Sequence, residues 1–432
     1  MADEQLPTKN QRAWIRLFEK YHVLQRLASA PYVEITASEI NTEREARLMT
    51  KFDHSYQLPP LFQQYKLTIL PLTRGSYAIG RFNTFHPFEK ILDITAPRRV
   101  AFPAFLESLT YNSINSEAAA IHVAHASGIL ADFTQEQQLH PTVSGRMGTE
   151  AFDFQIGTHD QQVQTLHATN VQVEIDAGYE SDRALYLLEA KNHFAGDFIV
   201  RQLYYPYRLW RERVNKPVRL IYQIYSDGTY WLYEYRFTDP LNYNSITCLR
   251  KQKYILDDTL LSLRELGALL HKTAVVPEDS TLPFPQADKF ERLINLCEVL
   301  ETQSVLNKEE IAENYDFTPR QANYYVAAGR YLGWLEECEL NGERGVRLSH
   351  DGQECFQLSL AARRRRIIEA VLRHQLFRDV LLFYLQESVN VPVRRTVHKL
   401  LQKAMPSLSA TTIERRGYTL IAWVQWILDK IV

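Results

Sequence analysis

Cysteine is scarce in this chain, with four in 432 residues. Cys248, Cys297, Cys338 and Cys355 are scattered, without CxxC spacing, so neither a disulfide framework nor a thiolate zinc site is suggested. That usage fits a reducing compartment. No apolar run approaches the length of a membrane span, and the opening MADEQLPTKNQ lacks a signal-peptide pattern, so a cytoplasmic protein is expected. Charge of one sign is also lacking: the net charge is −2, so any surface that meets nucleic acid must be local. There is no Walker-type glycine loop, no HExxH and no GxSxG, which leaves ATP-driven, zinc and α/β-hydrolase chemistry without an anchor. His122 and His125 lie three apart on an expected helix, but with no third ligand they read as packing residues.

What is present is an ordinary globular composition, 45% hydrophobic and 23% charged, with length for about two to four domains. The most informative stretch is Val171–Asn192, VQVEIDAGYESDRALYLLEAKN. Val171, Val173 and Ile175 alternate with Gln172, Glu174 and Asp176, the period of a half-buried strand. Ala177-Gly178 and Ser181-Asp182 supply loop chemistry, with Asp176 where the first strand ends. The second strand, Leu185–Lys191, puts Glu189 and Lys191 on one face, because side chains two apart in a strand point the same way. If the strands pair, Asp176, Glu189 and Lys191 converge. Two carboxylates at one point repel, and a hard divalent cation such as Mg²⁺ resolves the conflict while leaving room for water and phosphate oxygens. A lysine beside it stabilises developing negative charge, a combination suited to phosphodiester hydrolysis.

An Asp followed by Glu-x-Lys on the next strand resembles the PD-(D/E)XK nuclease superfamily, which includes most type II restriction endonucleases. Ile175 stands where that pattern has proline. The flanks extend the resemblance over roughly residues 105–240. Ser116 is a good N-cap for a helix running to His125. Glu117 on it either adds the further acidic ligand that members often carry or merely complements the helix dipole. Thr149–Ile156 alternates like another strand of the same sheet. Phe198–Trp210 reads as a crossover helix despite Pro206, and Gln202 near its start either reaches the site or, with Tyr207, only packs. Val218–Tyr225 and Thr229–Phe237, joined by Ser-Asp-Gly, form a hairpin.

Before this core, residues 11–29 predict one amphipathic helix with Trp14, Leu17, Phe18, Tyr21, Leu24 and Leu27 on a face. A second helix opens at Ser38, on which Arg44, Arg47 and Lys51 gather as a DNA contact or a solvated face. Leu67–Gly80 reads as two strands, Ile91–Val100 as extended, and Ile255–Leu270 as helical. Pro277, Pro283 and Pro285 mark a linker.

Residues 287–350 read as a winged helix. Thr318-Pro319 opens its recognition helix, and Asn341-Gly342 makes its wing turn. Arg320, Gln321, Asn323 and Tyr324 then stand where such a helix meets base edges, with Arg344 on the wing. A winged helix used for protein contacts is the alternative. Residues 351–432 hold 13 Lys/Arg against 7 Asp/Glu. Arg363–Arg366 open a helix continuing to Phe383 and prove nothing alone. Ser409 caps a last helix, where Thr411, Thr412, Arg415 and Arg416 face outward as a possible second helix-turn-helix, while Trp423 and Trp426 read as core.

The expectation is therefore an α/β (α+β) PD-(D/E)XK-like core with a mixed sheet and mainly α winged-helix domains. The divisions are a scaffold or DNA-contacting region at 1–100, the core at 101–272, a linker at 273–286, and DNA-binding units at 287–350 and 351–432. The resemblance implies a Mg²⁺-dependent type II restriction endonuclease of a bacterial or archaeal cytoplasm that leaves 5′-phosphate ends on double-stranded DNA. Asp176, Glu189 and Glu117 are then the metal ligands, with Lys191 and Gln202 completing the catalytic set. It further implies a homodimer and a cognate methyltransferase acting on the same site without a stable complex. The rivals are a non-catalytic DNA-binding regulator and a repair or mobile-element nuclease with the same site.

Overall fold

The structure, a computed structural model, describes residues 9–88, 97–109, 111, 114, 116–256, 260–276, 282–315, 319–340, 343–386, 393–406 and 408–432. Among them no helix is long and apolar enough to cross a membrane.

The N-terminal unit comprises α1 (Lys9–Lys20), α2 (Val23–Arg26), β1 (Tyr32–Thr36), α3 (Ala37–Asn41), α4 (Ala46–Met49), α5 (Pro60–Gln64), β2 (Thr68–Pro71) and β3 (Ser76–Gly80). Trp14, Leu17 and Phe18 are buried as their spacing requires, against Phe62 and Met49. The single helix expected over 11–29 is broken at His22, whose φ of 50° no α-helix accommodates. The next helix starts at Ala37 and not Ser38, because Thr36 closes a capping box with Glu39. That helix ends at Asn41, so the three cations expected on it lie beyond it: Arg44 donates to Asn10 Oδ1 at 2.7 Å, Lys51 approaches Asp53 at 3.9 Å, and Arg47, on α4, is exposed.

The central unit contains β4 (Phe85–Pro87), β5 (Arg98–Val100), α6 (Glu117–Ala126), α7 (Ile129–Thr134), β6 (His140–Gly148), β7 (Phe152–Gly157) and β8 (Val163–Ala168). It continues with β9 (Gln172–Glu180), β10 (Leu185–Lys191), β11 (Asp197–Ile199), α8 (Arg201–Arg211), β12 (Val218–Ser226), β13 (Thr229–Phe237) and β14 (Ile246–Leu256). Seven strands make a mixed sheet in the order β5-β14-β13-β12-β10-β9-β6. β10 and β12 are parallel, joined through α8, whereas β9 lies antiparallel between β10 and β6. Helix α8 covers one face through Leu203, Tyr204, Tyr205 and Leu209. Helices α6 and α7 cover the other through Ile121, Val123, Leu130 and Phe133. Two expectations change here. The 149–156 strand becomes β7, which pairs with β8 in a separate two-stranded sheet, and β6 takes its place. The first motif strand does not stop at Asp176 but runs on through Ala177-Gly178 to Glu180.

Residues 255–256 finish β14, so the helix expected from Ile255 begins only at Leu263, where Ser262 and Glu265 form a capping box. The C-terminal unit follows: α9 (Leu263–Lys272), α10 (Phe290–Gln303), α11 (Lys308–Tyr315), α12 (Pro319–Tyr331), β15 (Leu335–Leu340), β16 (Glu343–Leu348), α13 (His350–Phe356), α14 (Leu360–Leu372), α15 (Gln375–Gln386), α16 (Val393–Ala404) and α17 (Ala410–Asp429). Three helices α10 to α12 thus precede an antiparallel hairpin, while the expected cap Thr318 and wing turn Asn341-Gly342 lie outside the described residues. One apolar core runs from Leu261 to Ile431, with Phe290 against Trp423 and Trp426 and Phe284 of the expected linker stacked on Phe377. The helix expected from Arg363 to Phe383 is two helices. Its arginines divide: Arg363 and Arg364 are buried, while Arg365 and Arg366 reach surface carboxylates of Glu265 and Glu369.

Candidate active site

β9 and β10 run side by side only from Glu180 and Leu185 to Ala177 and Leu188. Against β6, Ile175 pairs with Gly145 but Gly178 pairs with Val143, so β9 advances three residues where β6 advances two. The extra residue falls at Asp176-Ala177, and a bulge of this kind re-aims side chains and ends a ladder. Past it β10 continues against β12 alone, with Glu189 beside Tyr222 and Lys191 beside Ile224. The strands therefore fork. On the β9 side the Ala190 N–H would lack an acceptor, and Asp176 Oδ2 accepts it at 2.8 Å.

Within the fork Glu189 Oε1 accepts from Lys191 Nζ at 2.6 Å and from Gln202 Nε2, on the first turn of α8, at 2.7 Å. Both members of the ion pair are buried, at 7% and 8% exposure. Burial pushes the Glu189 carboxyl up to about 8; Lys191 opposes that rise and Asp176 adds to it. Burial also works against the Lys191 charge, yet Glu189, with Tyr222, Asp53 and Glu117, holds the ammonium well above its usual range. Glu117 is half-buried behind its Ser116 cap at the start of α6. Burial raises its carboxyl, Lys191 counters, and Asp176 repels it, which places it in the same electrostatic neighbourhood. Four of the five sequence-derived residues, Asp176, Glu189, Lys191 and Gln202, thus come together by hydrogen bonds, while Glu117 shares only their electrostatic neighbourhood.

The donors are hard oxygens, which fit Mg²⁺ better than a soft metal. They do not form a closed cage. Among the described residues the only His, Cys, Asp or Glu trio with ligand atoms within 4.8 Å of one another is His350, Asp351 and Glu354, exposed on α13. Asp176, Glu189 and Glu117 stand further apart, so the set fits a cation that keeps several waters and takes one or two carboxylates. Two buried polar atoms beside it lack hydrogen-bond partners, the Tyr222 hydroxyl and Gln202 Oε1.

Sequence reasoning missed the neighbours that come from far along the chain. Asp53 interacts electrostatically with Glu189, Lys191 and Glu117. His54 Nε2 lies 3.2 Å from His193 Nε2, and His54 Nδ1 lies 2.5 Å from the Asp197 carbonyl. Burial drives His193 down to about 3 and also lowers His54, disfavouring the charged form of each. On the opposite side Asn295 of α10 donates to the carbonyl of Asn192 at 2.8 Å, so the residue after Lys191 is held by the C-terminal unit. The segment Lys51-Phe-Asp-His has no period to betray a role. Of the two histidines singled out earlier, His125 stacks on Tyr179 and His122 is exposed.

The expected DNA-contacting residues lie on the C-terminal unit. Arg320, Gln321 and Asn323 are exposed on the first turns of α12, with Tyr324 half-buried and accepting from Arg320 Nε at 2.5 Å. Arg344 is exposed on β16. Ser409 caps α17 as expected, and Thr411 and Arg415 are exposed, with Thr412 half-buried against Ser409 Oγ at 2.9 Å. Arg416 does not face outward: its guanidinium packs over Phe284 and donates to Met405 Sδ at 3.6 Å.

Three family models match the chain, each described only as a domain of unknown function: DUF6996 over residues 11–79, DUF6997 over 80–255 and DUF7226 over 292–432. No curated protein and no solved structure matches it. The forked site lies wholly in the second match, apart from Asp53 and His54 in the first.

Proposed function

We propose that the chain is a Mg²⁺-dependent endonuclease of the PD-(D/E)XK type that cuts double-stranded DNA at a specific sequence, as type II restriction enzymes do. The observation that carries this reading is the fork, where Asp176 bridges to Ala190 while Glu189, Lys191 and Gln202 are hydrogen-bonded inside it. Helix α6, strands β9 and β10, helix α8 and the hairpin β12–β13 follow the order that the resemblance implies. Asp176 and Glu189, with Glu117 beside them, would hold the cation. Bound there, it supplies Lewis-acid polarisation of a phosphoryl oxygen. Lys191 orients the attacking water and stabilises charge on the phosphate oxygens, and Gln202 holds Glu189 in place.

Sequence reading falls to the C-terminal unit, whose α10-α11-α12-β15-β16 order supports a winged helix. Arg320, Gln321, Asn323 and Tyr324 face the bases, Arg344 follows the backbone, and Thr411, Thr412 and Arg415 add contacts from α17. Cutting both strands calls for two copies of the site, hence a homodimer. A cognate methyltransferase protects the same sequence.

The test is digestion of unmethylated plasmid and phage DNA with Mg²⁺ or EDTA, beside Glu189→Ala and Lys191→Ala. Discrete Mg²⁺-dependent fragments are expected. Lys191→Ala lowers cleavage at least about 100-fold and leaves DNA binding in place. Tight binding with no cleavage under any divalent cation would turn the reading to a non-catalytic regulator. Fragments without a fixed sequence would turn it to a repair or mobile-element nuclease.

A further inference from the structure

We infer that Asn295, carried by α10 of the C-terminal unit, is a positioning residue for Lys191: its amide fixes the strand end on which the lysine stands. This rests on the nuclease reading of the fork and deepens it. Lys191 is the last residue of β10. On the β9 side the ladder has already stopped at Leu188, and on the other side Lys191 opposite Ile224 is the last pair with β12. A strand end beyond its ladder frays, and a lysine on it would lose its alignment with Glu189. Asn295 Nδ2 takes the place of the ladder by donating to the Asn192 carbonyl at 2.8 Å.

The donor is itself held. Asn295 is 1% exposed, the one polar side chain buried along α10 among Phe290, Leu293, Ile294, Leu296, Cys297 and Leu300. An apolar residue would serve there if docking were all that is needed, since a buried amide costs stability unless its hydrogen bonds are made. One turn along the same face, Glu298 Oε2 accepts from Asn295 Nδ2 at 3.3 Å and from Ser226 Oγ at 2.8 Å. Arg363 of α14 reaches Glu298 Oε1 at 3.2 Å. Asn295 and Glu298 thus clip the ends of two neighbouring parallel strands, β10 at Asn192 and β12 at Ser226, to one helix. Charge stabilisation by Lys191 needs its ammonium in a fixed place, and a displacement of about 1 Å costs on the order of 100-fold in rate. Because α10 belongs to the unit that reads DNA, the same bond ties the docking of that unit to the geometry of the fork.

The test is single-turnover cleavage of unmethylated phage DNA at saturating Mg²⁺ by the full chain, for wild type, Asn295→Leu and Ser226→Ala. DNA affinity is measured beside it, with thermal melts as the check on folding. Leucine keeps the volume of the amide and removes its donor. Asn295→Leu is expected to cut at least about tenfold more slowly with its DNA affinity unchanged. Ser226→Ala removes a bond to the same helix at Glu298 but leaves the Asn192 bond, and is expected to cut like wild type. Should the leucine variant fail to fold, Asn295→Ala is read in the same way. The positioning role is overturned, and the nuclease reading stands, if a folded Asn295 variant cuts as wild type does. A loss of DNA affinity in step with rate, or an equal slowing in Ser226→Ala, overturns it too. If wild type never cuts, both fall.

Discussion

Two clusters of buried charge lie a few residues apart on β10, β12 and the turn after β12, and they are built differently. At the hairpin tip, Asp227 and Glu298 face Arg363 and Arg364. Arg363 reaches Glu298 at 3.2 Å, Arg364 donates to the Asp227 carbonyl at 2.6 Å, and both guanidiniums approach the Asp227 carboxylate at 3.6 Å. Ser226 adds a bond to Glu298 at 2.8 Å. Acids and guanidiniums balance two to two, and the cluster fastens the central sheet to the C-terminal unit. Gly228 between them has φ +65°, and a Cβ there would stand 2.2 Å from Leu360, so the turn can seat only glycine. In the fork, by contrast, carboxyl groups outnumber ammonium groups. Balance makes a fastening; imbalance makes a site awaiting a ligand of opposite charge.

The largest effect should come from unbalancing the fastening. Asp227→Asn leaves two guanidiniums buried without a carboxylate between them and is expected to cost about 3–5 kcal/mol in urea unfolding. Glu189→Gln removes one acid from a surplus and should not destabilise the fold while abolishing cleavage. Equal losses in the two variants would break the contrast. Next, a divalent cation at a hundredfold its Kd should stabilise the wild type by about 2.7 kcal/mol in thermal melts. It should do nothing for Glu189→Gln.

A pH series sharpens the point. Glu189 rises from an ordinary 4.5 to about 8 on folding, so its protonated form is favoured in the native state. Its contribution is whole below pH 4.5 and is lost as pH climbs through 8. Glu117, also raised, acts with the same sign. His193 and His54, both lowered, act oppositely below about 6.5. Glutamine mimics the protonated carboxyl, so Glu189→Gln should melt close to wild type at pH 5 and increasingly above it as pH rises to 8. The smallest effect is at the surface. Arg365→Ala and Arg366→Ala should each cost under about 0.5 kcal/mol, because both ion pairs are open to solvent.

Much of the fork was legible because it depends on local periodicity. The alternation of Val171, Val173 and Ile175, the shared face of Glu189 and Lys191, and Gln202 one turn into the next helix all recur in the structure. So does the Ser-Asp-Gly turn, with positive φ at Asp227 and Gly228. Periodicity does not say which strand pairs with which. β7 alternates like a member of the main sheet and yet pairs with β8, and the bulge at Asp176 exists only in the register against β6. Nor does an arginine run say which side is buried, since that is decided by Asp227 and Glu298, more than 60 positions away.

By itself, then, the chain's sequence determined its elements and the cluster on β9, β10 and α8, because those residues are neighbours along two strands and a helix. Tertiary structure decided the rest. Asp53 and His54 reach the site across more than 130 residues, and Asn295 reaches Asn192 across 103. Such encounters follow from how three units dock, which no local pattern encodes.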